Sequence, residues 1–349
     1  MTAEQQLTIR EAYVEASSFL LGHQVQEAAN CADLLLQHVL GYTRSELLLR
    51  WQEMFPVEQL ELWQELLERK ASGEPVQYII GEQEFYGLPF TVNPAVLIPR
   101  PETELLVEQV VLLGKQLWPG AEAESRASGA GAESLEVTSG ANESGEAGLE
   151  ARRATDQSGI GQDCGEPEQE REAGVGPLIA DIGAGSGAIA VSLAMQCPRW
   201  CIVSSDISPA ALAVAEANAE RHGVSERVTF IEGDLLMPYI ERGLRLDAVV
   251  SNPPYIPEAD EAGLQPEVRL HEPRTALYGG ADGLVLYRRL AAQLKELAVM
   301  PALVGLEVGL GQAQAVAKLL SDVAEWDEVR IVPDLAGIER HVIAVRYSK

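Results

Sequence analysis

The hydrophobic pattern predicts a chain that begins with helices. Apolar residues recur at three- and four-residue intervals through residues 1–73, as they do on the buried face of an amphipathic helix. Gly41 falls where one of these helices should end, because glycine readily adopts the left-handed conformation that follows a last helical turn. We therefore predict a small helical domain over residues 1–73, which serves either in substrate recognition or in packing alone.

The pattern over residues 74–99 changes to one typical of β-strands. Its apolar runs, residues 76–80 and 85–92, are short and are separated by Gly81 and Gly87. Glycines between such runs mark turns. We predict a β-hairpin here that links the helical domain to the rest of the chain.

From residue 178 onward, short apolar runs alternate with helical patterns, which is typical of an α/β fold with a parallel sheet. Seven strands are predicted, at residues 178–182, 202–206, 228–232, 246–250, 303–308, 329–332 and 341–345. Only residues 333–340 join the last two strands, which is too few for a crossover helix, so this pair should be antiparallel. With a helix entering at Pro101, these elements predict an α/β domain over residues 100–349.

One segment, residues 120–176, has a composition unlike the rest of the chain. It contains 11 Gly and six Ser, no aromatic residue, and 13 acidic against four basic side chains. Such a stretch buries too little apolar area to offset the loss of chain entropy on folding. We predict a disordered acidic insertion that is dispensable for catalysis.

A glycine-rich loop follows the first predicted strand and precedes a helix. Little side-chain bulk lets a ligand approach the backbone closely, and the helix N-terminus offers free N–H groups. Asp206 ends the next strand, 19 residues beyond Gly187, where an acid can bind the diol of a ribose. The candidate cofactor-binding residues of the loop are Gly183, Ala184, Gly185, Ser186 and Gly187.

An acid before the glycines bears on the choice of cofactor. Dinucleotide-binding loops follow G-x-G-x-x-G with no need for such an acid, whereas here Asp181 precedes Gly183 by two residues. An acid beside a tight glycine turn suits a cofactor with a cationic amino-acid tail, such as S-adenosyl-L-methionine. After the third strand, Asp234 could accept from an adenine amino group while Leu235 packs on the ring; Asp234 could instead cap the next helix. A nicotinamide-dependent dehydrogenase is the alternative.

The second candidate site, residues 251–255, lies just past the fourth predicted strand. Two consecutive prolines cannot extend a strand, because proline lacks the backbone N–H. Their carbonyls and the Asn252 side chain offer hydrogen-bond acceptors, and Tyr255 offers an aromatic face. Together they could hold a planar group that carries an NH₂, with one N–H on the Asn252 oxygen and the other on the Pro253 carbonyl. The candidate catalytic residues are Asn252, Pro253, Pro254 and Tyr255, and Asn252 is also a candidate cofactor contact.

Charge and composition narrow the possible partners. The net charge is −27, which disfavours tight binding to a nucleic-acid backbone, because phosphate contacts need clustered Lys and Arg. No apolar run is long enough to cross a membrane, and the first residues lack the features of a signal peptide. The four cysteines have no histidines at metal-ligand spacing, so we expect no metal. These features predict a cytoplasmic enzyme.

Several separated motifs resemble one family of enzymes. Residues 181–187, Asp206, residues 233–234 and residues 252–255 are similar to the motifs of class I S-adenosylmethionine-dependent methyltransferases that methylate amino groups. Four more runs resemble the peptide chain release factor glutamine methyltransferases (HemK/PrmC family), at residues 81–87, 97–104, 272–277 and 279–284. The resemblance extends over the chain except for the insertion. It implies a seven-stranded Rossmann-like class I methyltransferase sheet.

The resemblance implies N(5)-methylation of the glutamine in the Gly-Gly-Gln motif of class I release factors, with S-adenosyl-L-methionine as the methyl donor. The partner would be a protein of translation termination; we expect a monomer without direct contact to nucleic acid or membrane. Ribosomal-protein glutamine methylation is an alternative. DNA adenine-N6 methylation is a weaker one, since it needs base flipping and a basic track. A binding scaffold without catalysis is disfavoured by the intact residues 252–255.

The resemblance also bears on the proton chemistry. An amide nitrogen is a weak nucleophile, so we expect positioning and electrostatics to supply most of the catalysis. A strong base is not required, because the methylated amide loses its proton readily. His271 and His341 lack a paired acid motif and are expected to be structural.

Overall fold

The computed structural model describes residues 7–122 and 176–347. The chain begins with four helices that enclose a hydrophobic core of their own: α1 (Ile9–Gly22), α2 (Ala28–Leu40), α3 (Arg44–Leu49) and α4 (Leu60–Ala71). Thr8 and Thr43 start α1 and α3 with capping boxes, in which the threonine and a glutamate three residues later satisfy each other's free N–H groups. Gly41 ends α2 in the left-handed conformation, as predicted.

The prediction of a strand over residues 76–80 was wrong, since this segment is a short helix, α5 (Val76–Ile80). Gly81 ends it with φ of 77°. Residues three apart share one face of a helix, and this spacing places Val76 and Ile79 together in the core of the helical domain. The hairpin follows as two antiparallel strands, β1 (Glu82–Phe85) and β2 (Leu88–Thr91).

Seven strands form the second sheet, as predicted, in the order β5-β4-β3-β6-β7-β9-β8. They are β3 (Leu178–Ile182), β4 (Cys201–Asp206), β5 (Val228–Glu232), β6 (Ala248–Ser251), β7 (Leu303–Glu307), β8 (Glu328–Pro333) and β9 (Glu339–Val345). Strands β3 to β7 run parallel. Strand β9 is antiparallel to both β7 and β8, so the predicted antiparallel pair is confirmed.

Helices cover both faces of this sheet. The helices of this part of the chain are α6 (Pro101–Leu117), α7 (Ala188–Gln196), α8 (Pro209–Arg221), α9 (Met237–Glu241), α10 (Pro266–His271), α11 (Arg274–Leu277), α12 (Val285–Leu294) and α13 (Ala313–Ser321). Short 3₁₀ turns occur at Val57–Gln59, Pro119–Glu122 and Glu258–Gly263. Side chains alternate along each strand: Ile179 packs with α6 and α7, while Ala180 packs with α12 and α13.

The strand order reverses between β3 and β6. From β3 the chain adds β4 and β5 on one side, and then returns to add β6 and β7 on the other. In open α/β sheets, ligands bind at such a switch point, outside the carboxyl ends of the strands. Both candidate sites follow these two central strands.

The insertion predicted over residues 120–176 lies outside the described residues except at its two ends. The Gly120 carbonyl accepts a hydrogen bond from the Arg199 guanidinium at 3.2 Å. Gly176 packs so closely on Arg199 that an added Cβ would lie 1.7 Å from the Arg199 carbonyl oxygen. Both ends of the insertion therefore meet at one residue.

Among the helices in the described ranges, none has both the length and the hydrophobicity needed to cross a bilayer.

Candidate active site

A cavity of about 350 Å³ opens at the carboxyl edge of the sheet, at the switch point between β3 and β6. Its walls come from the glycine-rich loop, the ends of β4 and β5, and the turn after β6. The segments 95–100 and 273–278 close it from the other side. The cavity therefore joins both sites that the sequence predicted.

Glycines shape the first wall through their backbone conformation. Gly183 and Gly185 have φ of 84° and 52°, values that side chains with a Cβ adopt at a cost. Both face open space, since a Cβ on Gly183 would have no atom within 4 Å and one on Gly185 would meet only the Gly183 carbonyl. Gly187 differs from the prediction: it lies off the cavity and packs against the Ala215 backbone.

Asp206 fixes the loop while it lines the cavity. One carboxylate oxygen accepts from the Gly185 N–H at 3.0 Å, and the other accepts from the Ser208 N–H at 2.9 Å. A carboxylate has about four lone-pair sites for acceptance. These two hydrogen bonds therefore leave lone pairs of Asp206 that can accept from the two hydroxyls of a ribose, the role predicted for Asp206 from the sequence.

Asp181, the acid before the glycines, lies beneath the loop. It is fully buried and is absent from the cavity wall. The Ser204 hydroxyl donates to its carboxyl group at 2.8 Å. Burial raises the pKa of Asp181 to about 7. The structure thus gives this acid a role under the loop rather than direct contact with the cavity.

At the end of β5, Asp234 and Leu235 line the cavity together. Asp234 forms an ion pair with Arg289, which also lines the cavity and was missed by the sequence analysis. Leu235 is buried with a positive φ of 54°, a strained conformation for a residue with a Cβ. The alternative that Asp234 caps a helix is wrong, because Leu236 precedes α9 and makes no side-chain cap.

Asn252 lines the cavity just after β6. Its Nδ2 donates to the Thr103 hydroxyl at 3.1 Å, and this hydroxyl donates in turn to a Glu307 carboxylate oxygen at 2.6 Å. Among residues 7–122 and 176–347, none donates a hydrogen bond to the Asn252 Oδ1. The side-chain oxygen therefore keeps its acceptor capacity.

The rest of the 252–255 turn is only partly on the cavity wall. Pro254 lines the cavity, whereas Pro253 and Tyr255 are not part of its lining. The Tyr255 ring lies beside Gly309, where a Cβ would come within 3.0 Å of it. The Tyr255 hydroxyl lies 3.5 Å from Glu307. Tyr255 thus packs beneath the turn, not along the cavity as its aromatic face suggested.

Two glycines of the 279–284 motif hold this turn in place. A Cβ on Gly279 would lie 2.5 Å from the Pro254 carbonyl oxygen, and one on Gly283 would lie 2.2 Å from the Tyr255 carbonyl oxygen. Gln312 donates to the same Tyr255 carbonyl at 2.9 Å. These glycines therefore permit a close backbone approach that fixes the turn.

Ion pairs hold the opposite wall and connect it to the helical domain. Arg100 donates to the buried Glu272 at 2.5 Å, which joins the 97–104 motif to the 272–277 motif. Lys70 on α4 is 1% exposed and pairs with Glu267 on α10. The segment that follows the 252–255 turn is thereby attached to the helical domain.

Neither histidine considered from the sequence lines the cavity. His341 is fully buried on β9, and burial lowers its pKa to about 4. His271 lies beside the helical domain, where a Cβ on Gly73 would be 3.9 Å from its Nε2. Both positions agree with the expected structural roles.

The residues present fit S-adenosyl-L-methionine. Open space over Gly183 and Gly185 admits a ligand against the backbone. Asp206 has spare acceptors for a ribose, and Leu235 provides an apolar surface beside Asp234 for a base. The same cavity reaches Asn252, so one cavity can accommodate the cofactor and a substrate group.

Comparisons with known proteins agree with this geometry. Residues 11–81 match the model of the PrmC N-terminal domain, and residues 171–280 match that of the methyltransferase small domain. The release factor glutamine methyltransferase of Bacillus anthracis is 36% identical over 339 residues, covering 97% of this chain and 99% of the relative.

The protein of the same name from Moorella thermoacetica is 38% identical over 341 residues, covering 97% of this chain and 99% of the relative. That from Bacillus subtilis is 36% identical over 338 residues, covering 97% and 98%. The chain therefore belongs to the release factor glutamine methyltransferase family.

Proposed function

We propose that this protein methylates the side-chain amide nitrogen of the glutamine in the Gly-Gly-Gln motif of class I release factors. The observation that carries the proposal is the Asn252 amide on the cavity wall, with its Nδ2 bound by Thr103 and its Oδ1 open to an incoming N–H. Relatives over nearly the whole chain bear the name of this activity. The methyl donor is S-adenosyl-L-methionine.

The cofactor would be held mainly by backbone and by one acid. The Gly183–Gly187 loop leaves room along its main chain, Asp206 would accept from the ribose, and Leu235 would pack on the adenine. When bound, S-adenosyl-L-methionine would supply a methyl group attached to a cationic sulfur. The methyl carbon would accept the electron pair of the amide nitrogen, and the sulfur would keep the electrons of the broken carbon–sulfur bond.

The substrate amide would be held by two acceptors. Asn252 Oδ1 accepts one N–H. The backbone carbonyl of Pro253, a buried residue between the lining residues Asn252 and Pro254, accepts the other. No hydrogen bond to that carbonyl comes from the described part of the chain. Two fixed acceptors orient the nitrogen and draw electron density onto it, and such positioning can account for about 10²-fold or more in rate.

Proton release needs no strong base in this arrangement. The amide nitrogen becomes strongly acidic once it carries the methyl group, so a water molecule is a sufficient acceptor. His341 and His271, the histidines considered from the sequence, both lie off the cavity. The chain's own contribution is therefore the geometry of the two acceptors.

We further propose that the enzyme acts in the cytoplasm, in translation termination, as a monomer that touches neither nucleic acid nor membrane. The net charge of −27 supports the absence of nucleic-acid contact, since it opposes binding to phosphate backbones. The helical domain, tied to α10 by Lys70 and Glu267, would contact the release factor.

The test is tritiated methyl transfer to purified class I release factor, ribosomal protein and DNA in parallel. We expect label on the release factor alone. A release factor whose Gly-Gly-Gln glutamine is replaced by alanine is the matched control and should stay unlabelled. Strong label on ribosomal protein or DNA instead would refute the proposed substrate.

A further inference from the structure

We propose that Thr103 and Glu307 are positioning residues that set which end of the Asn252 amide faces the substrate. The inference rests on the proposed function, because it concerns how the substrate amide is bound. Thr103 is 4% exposed and Glu307 is 1% exposed. Thr103 lies in the first turn of α6, Glu307 ends β7 and Asn252 follows β6, so three distant segments supply this group.

The direction of the hydrogen bonds carries the argument. A carboxylate can only accept hydrogen bonds, and a threonine hydroxyl has one proton. Since the Thr103 hydroxyl donates to Glu307 at 2.6 Å, it presents only lone pairs to Asn252. The Asn252 NH₂ must therefore face Thr103, at 3.1 Å, because a flipped amide would set two acceptors against each other.

This orientation matters for the chemistry. An Asn252 oxygen toward the substrate accepts an N–H of the glutamine amide and orients the nitrogen. A flipped Asn252 would present its own NH₂ to the substrate NH₂, and two donors repel. Glu307 thus determines, through Thr103, whether the site binds a carboxamide productively.

A change in the charge state of Glu307 would alter the hydrogen bonds among Glu307, Thr103 and Asn252. Burial raises the pKa of Glu307 to about 7. Besides the Thr103 hydroxyl, the charged and titratable groups around it are Glu102 on α6, Tyr255 after β6, Tyr287 on α12, and Arg340 and His341 on β9. Protonated Glu307 could donate to Thr103, and Thr103 could then donate to a flipped Asn252.

The pH dependence therefore has a defined sign. Above pH 7 the carboxylate form accepts from Thr103, and the productive amide orientation is favoured. As the pH falls through 7, the protonated form grows and turnover declines. Asp181, whose pKa is also raised to about 7 by burial, must be distinguished from Glu307 as the source of such a decline.

The experiment compares Thr103→Val, Thr103→Ser and Glu307→Gln with wild type. Thr103→Val should lower kcat by about 10²-fold with the affinity for S-adenosyl-L-methionine unchanged, as for a misplaced substrate group. Thr103→Ser keeps the hydroxyl and should retain most of the turnover. Glu307→Gln should lower kcat about 10-fold and abolish the decline below pH 7, whereas Asp181→Asn should keep the decline.

A second readout does not depend on methyl transfer. The side-chain ¹⁵N amide signal of Asn252, identified by its loss in Asn252→Ala, should shift as the pH passes through 7 in wild type and not in Glu307→Gln. Circular dichroism would verify that each variant is folded. An inactive wild type would refute the proposed function, and the amide signal would still test the positioning role.

Equal kcat for Thr103→Val and Thr103→Ser would overturn the inference. So would an unchanged acid decline, or an unchanged Asn252 amide titration, in Glu307→Gln.

Discussion

The two ends of the cavity are built in different ways. At the cofactor end, the wall includes the main chain of one short loop and the Asp206 carboxylate, which are close in sequence. At the substrate end, Asn252 depends on Thr103 and Glu307, which come from distant segments. The comparison indicates that cofactor affinity resides in one carboxylate and the backbone shape of one loop, while reactivity resides in a chain of oriented side chains.

The largest expected effect is at the substrate end. Asn252→Ala removes the acceptor for the glutamine amide, and we expect turnover to fall by about 10³-fold, as when one key hydrogen-bonding group is removed from an active site. The dissociation constant of S-adenosyl-L-methionine, measured by calorimetry, should stay within about threefold. Unchanged turnover would show that Asn252 does not hold the substrate.

The next largest effect is at the cofactor end. Asp206→Ala removes an acceptor for the ribose and the anchor of the Gly185 N–H. We expect the dissociation constant of S-adenosyl-L-methionine to rise by about 10- to 100-fold, the value of a hydrogen bond to a charged group. Asp206→Asn keeps one acceptor oxygen, so its dissociation constant should lie between those of wild type and Asp206→Ala. A normal dissociation constant for Asp206→Ala would contradict the ribose assignment.

A smaller effect isolates the contribution of backbone shape. Gly185→Ala places a Cβ at φ of 52° on the cavity wall, and the strain of about 1 kcal/mol should weaken cofactor binding about fivefold. Gly243→Ala is the matched control, since Gly243 also has a positive φ of 63° but lies off the cavity. Equal cofactor affinities in the two variants would contradict the claim that the backbone shape of the loop contributes to cofactor binding.

The smallest effect is expected outside both ends. Replacing residues 123–175 with a Gly/Ser linker of about six residues, which can span roughly 20 Å, should leave turnover within about twofold. The reason is that Gly120 and Gly176 both contact Arg199, so the ends are close. Activity and melting temperature are the readouts; loss of the folded state on deletion would contradict the predicted dispensability.

The sequence predicted the cofactor end well because its chemistry is local. The strand, the glycine loop and Asp206 follow one another within about 30 residues of a repeated α/β unit, and this order is a known sequence signature. All the predicted cofactor residues line the cavity except Gly187, which packs on Ala215. Arg289 was missed because a basic residue in a helix carries no local sign of the cavity it reaches.

The substrate end could be predicted only in part. Residues 252–255 are visible as a motif, but Thr103 and Glu307 resemble an ordinary helix start and the end of an ordinary buried strand. Their contact depends on tertiary packing across 204 residues of sequence. Tyr255 could not be placed either, because its position depends on the space that the distant Gly309 leaves.

The residues 76–80 teach the same lesson on a smaller scale. Their run of apolar side chains is compatible with a strand or a helix, and length and flanking residues decide poorly for five residues. The core of the helical domain selects the helix, since Val76 and Ile79 both pack into it. Tertiary packing therefore overrode the local pattern.

The most direct test of the central claim is a crystal structure with S-adenosylhomocysteine and a class I release factor bound. The account predicts that the Gly-Gly-Gln amide nitrogen lies about 2.7–3.2 Å from both Asn252 Oδ1 and the Pro253 carbonyl oxygen. A glutamine bound elsewhere, or an amide nitrogen facing Asn252 Nδ2, would contradict it.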